Sequence, residues 1–110
     1  MGVAIFWIKK SAQGGDALSQ FVLGSIYHNG DGVPVDYEQA FYWYKKADEQ
    51  GEGNSNYALG LMYHEGQGVK KDCAKARNYF EKSAALGDAR GQAALAGLHC
   101  EVEKEIPGTE

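Results

Sequence analysis

Residues 23–36 read LGSIYHNGDGVPVD, and residues 59–72 read LGLMYHEGQGVKKD. The two segments lie 36 residues apart. At that offset Gly24 meets Gly60, Tyr27 meets Tyr63, Gly30 meets Gly66, Gly32 meets Gly68, Val33 meets Val69 and Asp36 meets Asp72. An alanine stands four residues past each aspartate, at Ala40 and Ala76, and Gly51 and Gly87 keep the same spacing. A fixed period of this size marks a repeat architecture.

The phase continues in both directions. Trp7 aligns with Trp43, Lys10 with Lys46 and Gly15 with Gly51; Asp88-Ala89 aligns with Asp16-Ala17, and Leu95 and Leu98 with Leu59 and Met62. Past residue 101 the match ends, since Val102, Lys104 and Glu105 stand where two glycines and a valine belong. The 110 residues therefore read as a single repeat domain: the back half of a repeat at 3–14, whole repeats at 15–51 and 52–87, the front half of another at 88–101, and a frayed acidic tail at 102–110.

Each repeat reads as two helices. Ala17, Leu23, Ile26 and Tyr27 recur at helical spacing. Gly30 and Gly32 stop that helix, because glycine takes the left-handed conformation cheaply. Asp36 caps the next helix, and Gln39 three residues on completes a capping-box pattern. Ala40, Trp43, Tyr44 and Ala47 form its apolar stripe, and Gly51 closes it. Gly24 and Gly60 differ in kind: they lie inside a helix, where glycine costs ~1 kcal/mol against alanine. The expected return is close helix–helix approach where any side chain would clash. A helix pair of this length cannot bury both its faces alone, whereas stacked neighbours can. The expected fold is all-α: an α-solenoid of stacked antiparallel helix pairs, with about five helices.

Composition narrows the function. Glycine occurs 15 times, against 2 prolines, yet 13 aromatics exclude a disordered chain. The formal charge of −4 and basic runs no longer than Lys9-Lys10, Lys45-Lys46 and Lys70-Lys71 argue against nucleic-acid binding. The longest apolar stretch, Val3 to Ile8, is far shorter than the ~20 residues of a membrane helix, and its flanks do not make a signal peptide. No membrane insertion is expected, and the cytoplasm is slightly favoured. Cys73 and Cys100 read as two free thiols, with a single bridge as the alternative, since a disulfide scaffold normally shows four or more cysteines.

With those residues in hand, the chain resembles the Sel-one-like repeat family, relatives of the tetratricopeptide repeats. The resemblance rests on GDALSQFVLGSIYHNGDGVPVDYEQAFYWYKKADEQG, residues 15–51, and its second copy through Gly87, and it covers about residues 3–101. It implies a tetratricopeptide-like superhelix and a scaffold or adaptor that binds proteins without chemistry of its own. Such proteins are common in bacterial signalling, secretion and host interaction, and occur in eukaryotic membrane-protein degradation. A cysteine-rich branch bridges the two helices of each repeat and has been linked to β-lactam binding. Here Val22, Asp48, Ala58 and Ala84 stand near that branch's cysteine positions, so its disulfides and ligand activity do not carry over.

Other constellations are weaker. His28 and His64 share a repeat position with Cys100, next to His99 and Glu65. Equivalent positions in stacked helices are ~8–10 Å apart, too far to share one zinc at ~2.0–2.3 Å, so no metal or cofactor is expected. Cys73, just after Asp72, would be a modifiable thiol at a helix N-terminus. No base and orienting group can be named for it, and no catalysis is expected. The glycine loops HNGDGV and HEGQGV follow a helix and complete neither phosphate-binding pattern. They read as structural punctuation, with Gly24, Tyr27, Gly30, Gly32, Asp36, Gly60, Tyr63, Gly66, Gly68 and Asp72 as the structural motif.

Positions that vary between repeats point to binding. On the first helices these are Leu18, Val22, Ser25 and Asn29, then Asn54, Ala58, Leu61 and Glu65, then Arg90, Ala94, Gly97 and Glu101. In such arrays the first helices usually line the concave surface, so this mixed face is the expected groove for a protein or peptide. Ile5, Phe6, Trp7 and Ile8 are apolar around the whole helix. They imply a longer solenoid, or a surface that meets a second copy or a partner. The leading functional reading is a non-catalytic protein-binding module, one form of which is a bacterial regulatory or immunity protein. The alternatives are a β-lactam-like ligand or hydrolytic role, and a purely structural segment of a larger scaffold.

Overall fold

The computed structural model describes residues 2–98 and residue 100. Six helices follow one another: α1 (Gly2–Gln13), α2 (Ala17–Asn29), α3 (Tyr37–Glu49), α4 (Asn54–Glu65), α5 (Cys73–Ala85) and α6 (Ala89–Gly97). The described residues hold no strand. The count is six rather than about five, because each terminal half repeat supplies a helix beside the four of the whole repeats. Consecutive helices pack on one another, most extensively α2 on α3 and α4 on α5, the two helices of each repeat. The stack is elongated, 58 × 28 × 19 Å, with a radius of gyration of 15.3 Å, against ~13 Å for a compact domain near this length.

The repeating residues do repeating work. Asp16 and Asp88 each accept a backbone N–H at the start of α2 and α6. Glu52, in phase with them, accepts the Asn54 N–H at 2.9 Å ahead of α4. Asp36 and Asp72 cap α3 and α5, each through an N–H bond of 3.1 Å from the residue three places on. The return half of the expected capping box is not made. The Asp36 N–H donates instead to the Tyr27 carbonyl at 2.9 Å, and the Asp72 N–H to the Tyr63 carbonyl at 3.0 Å. That bond closes the glycine loop onto the helix before it and leaves the Asp36 N–H with no need of Gln39.

Glycine is required at two kinds of place. Gly51 and Gly87 both have φ of 85° just past a helix, where the next N–H (Glu52, Asp88) reaches back five residues to Ala47 and Ser83. Gly24 and Gly60 are seats for aromatic rings. A Cβ on Gly24 would stand 2.7 Å from Cδ1 of Tyr44, and one on Gly60 2.5 Å from Cε1 of Phe80. Both rings are buried, and they are themselves one period apart.

Two clusters form the core. Ala40, Tyr44, Leu59 and Met62 join the two repeats, and Ala12, Leu23 and Trp43 join α1 to the first. Tyr27 packs against both. At the α1 end Ile8 packs onto the second cluster, while Phe6 and Trp7 stay 53% and 62% exposed. Trp43, in phase with Trp7, is 8% exposed. The difference is the neighbour: Trp43 has α1 and α2 around it, and Trp7 has no preceding helix pair among the described residues.

The two cysteines are not free thiols. Cys73 and Cys100 form a disulfide with Cα atoms 5.4 Å apart, inside the range a bridge needs. Because α6 runs back along α5, the chain leaving α6 returns to the start of α5, which the linear spacing does not show. The Arg77 guanidinium donates to Cys100 Sγ at 3.4 Å. Cys73 is therefore no modifiable thiol. The bridge ties α5 to the segment after α6 and not the two helices of one repeat, the pattern of the cysteine-rich branch. Residues 99 and 101–110, with His99, Glu101 and the acidic tail, lie outside the described residues.

Candidate functional site

The face expected to bind is divided by the fold into three parts. Leu61 and Glu65 of α4 and Ala94 and Gly97 of α6 meet in one groove of about 300 Å³, floored by Tyr57 and Phe80. Asn54 and Arg90 bridge the same two helices: the Arg90 guanidinium donates to Asn54 Oδ1 at 3.0 Å. Arg90 also donates to Asp88 at 2.7 Å and lies 4.8 Å over the Tyr57 ring. Its donors are thus engaged by neighbours in this chain, although the side chain stays half-exposed. Its bonds hold the Asp88 carboxyl down at about 2, from an ordinary 3.8. Leu18, Val22, Ser25 and Asn29 lie along α2, outside the groove. Leu18 is 58% exposed, whereas Ser25 accepts the Tyr44 hydroxyl at 3.2 Å. Ala58 is partly buried and packs against the core cluster.

The histidines serve local contacts. His28 Nε2 pairs with Gln67 Oε1 at 2.8 Å, which joins the first repeat to the loop of the second. Beside it, Gly68 lies so close to the Tyr37 backbone that a Cβ would stand 2.8 Å away. His64 Nδ1 pairs with the Glu65 carboxylate at 3.1 Å. No group of three or more His, Cys, Asp or Glu that could hold a metal occurs among the described residues, and no described helix is long and apolar enough to cross a membrane.

Sequence reasoning missed a second cleft, between α3 and α5, of about 600 Å³. Tyr63 and Tyr79 stack there with ring centroids 5.9 Å apart and planes 10° apart. Three ammoniums surround them. Lys75 lies 5.4 Å from the Tyr63 ring, Lys82 lies 5.3 Å from the Tyr79 ring, and Lys45 donates to the Tyr79 hydroxyl at 3.4 Å. Burial disfavours the Lys45 charge, but the Tyr79 hydroxyl, Asp48 and Glu49 outweigh it and raise its pKa. One signal was readable: Lys75, Tyr79 and Lys82 fall at helical spacings of four and three, on one face of α5. Lys45 and Tyr63 arrive from other helices, and only the stacking reveals them.

Comparison with known proteins fits this geometry. A protective antigen of uropathogenic Escherichia coli strains displaying an SLR fold superposes with a TM-score of 0.78 and 45% identity, over 81% of this chain. This chain spans only 19% of that protein's length. A Sel1 repeat protein from Oxalobacter formigenes gives a TM-score of 0.79 and 38% identity, over 84% of this chain and 70% of that one. Helicobacter pylori cysteine rich protein B gives 0.74 and 27%, over 83% of this chain and 68% of that one. No curated protein matches the sequence. The family model described as the Sel1 repeat matches three times in succession, at residues 2–16, 17–52 and 53–88, in the phase that the glycines set. The chain belongs to the Sel1 repeat family.

Proposed function

We propose that this chain is a non-catalytic adaptor that holds a protein or peptide against the face formed by α2, α4 and α6. Sel1 repeats are generally non-catalytic scaffolds for protein interaction, and the finer assignment rests on the α4–α6 groove. The observation that carries it is the meeting of Leu61, Glu65, Ala94 and Gly97 in that groove. They are positions at which the repeats differ, so they can distinguish partners where the shared glycines cannot.

The repeat organisation offered with it is the half, whole, whole, half arrangement at 3–14, 15–51, 52–87 and 88–101. Gly97→Arg is the cleanest probe, because a Cβ there meets nothing within 4 Å. Paired with Ala94→Arg, it fills the groove. Capture of the partner is expected to fail while helicity is kept; unchanged capture would remove the groove from the reading. A second contact, self-association through Ile5, Phe6, Trp7 and Ile8, is tested by light scattering after size exclusion. A monomer at high concentration would count against it.

A further inference from the structure

We infer that the cleft between α3 and α5 is a second docking site, one that takes an acidic segment of a partner protein. The cleft brings Lys45, Lys75 and Lys82 together around the stacked rings of Tyr63 and Tyr79. Against these three ammoniums it presents one carboxylate along its lining, Glu81, with Asp48 and Glu49 acting on Lys45 from its own helix. Along the lining itself, three ammoniums against one carboxylate leave a cationic surplus on a chain whose formal charge is −4, the complementarity an anionic partner needs. At physiological salt the screening length is ~8 Å. A ligand seated in the cleft therefore feels the lining lysines more than carboxylates elsewhere on the chain, and Glu81, Asp48 and Glu49 are the ones that offset them.

The chemistry favours carboxylates on a peptide. No arginine lines the cleft, so it lacks the guanidinium fork that selects phosphate, and the Lys75 N–H in the first turn of α5 is already taken by the Asp72 carboxylate. The ammoniums are spread over two rings whose centroids are 5.9 Å apart, a spacing suited to several carboxylates in succession. The tyrosine faces between them can take apolar side chains interleaved with the acids. A nucleic acid would extend its charge well past the cleft, along a chain whose formal charge is −4. The cleft in the previous repeat would hold Gln39 in place of Lys75, so the full set of lysines occurs once among the described repeats. This site does not depend on the α4–α6 groove, and either can fail alone.

The test uses the full chain and a fluorescein-labelled oligoglutamate peptide, followed by anisotropy. Oligoglutamine, inorganic pyrophosphate and a single-stranded oligonucleotide are the other arms. The glutamate peptide is expected to bind, more weakly as salt rises. The Lys45→Gln, Lys75→Gln, Lys82→Gln triple variant is expected to lose about tenfold in affinity, at roughly twofold per exposed pair. A charge-matched Lys9→Gln, Lys10→Gln, Lys70→Gln control is expected to keep its affinity. Equal loss in both triples, or no binding by the unaltered chain, overturns the site. Pyrophosphate or the oligonucleotide binding as tightly through the same lysines overturns the assignment to an acidic peptide. A readout without any variant is the ring resonances of Tyr63 and Tyr79, which must shift as the glutamate peptide saturates. Resonances that stay in place also overturn the proposal.

Discussion

At the residue scale the fold turns on Gly24 and Gly60. Each lies mid-helix, and each receives the edge of an aromatic ring one helix away. Alanine would normally favour a helix by ~1 kcal/mol. Here it is expected to destabilise, because Tyr44 and Phe80 are only 3% and 2% exposed and have nowhere to move. Overpacking of this kind costs about 1–3 kcal/mol. Gly24→Ala and Gly60→Ala should each shift the urea midpoint down, whereas a neutral or upward shift would show that the rings are not seated as described. The close approach was legible in the sequence, since a mid-helix glycine repeated in phase has few other uses. The ring each one receives was legible only as a pair of in-phase aromatics. The contrast between Trp7 and Trp43 was legible from position, because Ile5, Phe6, Trp7 and Ile8 read as an apolar face left for a further repeat, a second copy or a partner, and Trp7 is 62% exposed against 8% for Trp43.

At the element scale the informative piece is α6. Two devices fasten it: the Asp88–Arg90 pair at its start and the Cys73–Cys100 bridge just beyond its end. The Asp88 carboxyl sits at about 2, below its ordinary 3.8. Its contribution is therefore complete above pH ~4 and is lost as pH falls toward ~2. Asp88→Asn keeps a capping residue and removes the charge. It should flatten the acid limb of a stability profile between those values; an unchanged limb would contradict the pairing.

The bridge closes a separation of 27 residues, for which loop entropy gives about 3–4 kcal/mol. Cys73→Ser or reduction should lower stability by about 2–4 kcal/mol in chemical denaturation and speed amide exchange in α6 first. Equal exchange with and without reductant would mean that the bridge holds nothing. Sequence spacing could not reveal this pair. It forms because α6 doubles back along α5, and two cysteines without a repeat partner carry no periodic signal.

At the scale of the whole molecule the chain is a stack whose shared residues set the architecture and whose differing residues set the surface. Caps, loop closures and ring seats recur every 36 residues, which is why the all-α solenoid is legible in the sequence. The candidate surface was legible in part. Leu61, Glu65, Ala94 and Gly97 do meet, whereas Arg90, Ser25 and Ala58 each have a partner within the chain. A helical wheel shows direction and not whether a side chain has found an internal partner. The lysine–tyrosine cleft escaped for a related reason, since Lys45 and Tyr63 come from elements distant in sequence.

The central claim is that the α4–α6 groove holds a protein partner. It is tested most directly by quantitative capture from extract of the source cells, with the unaltered chain set beside the Ala94→Arg, Gly97→Arg variant. The account predicts that the variant keeps its melting temperature within ~2 °C, as surface changes do, and loses about tenfold or more of the captured protein. A folded variant that captures the same protein in the same amount would contradict it.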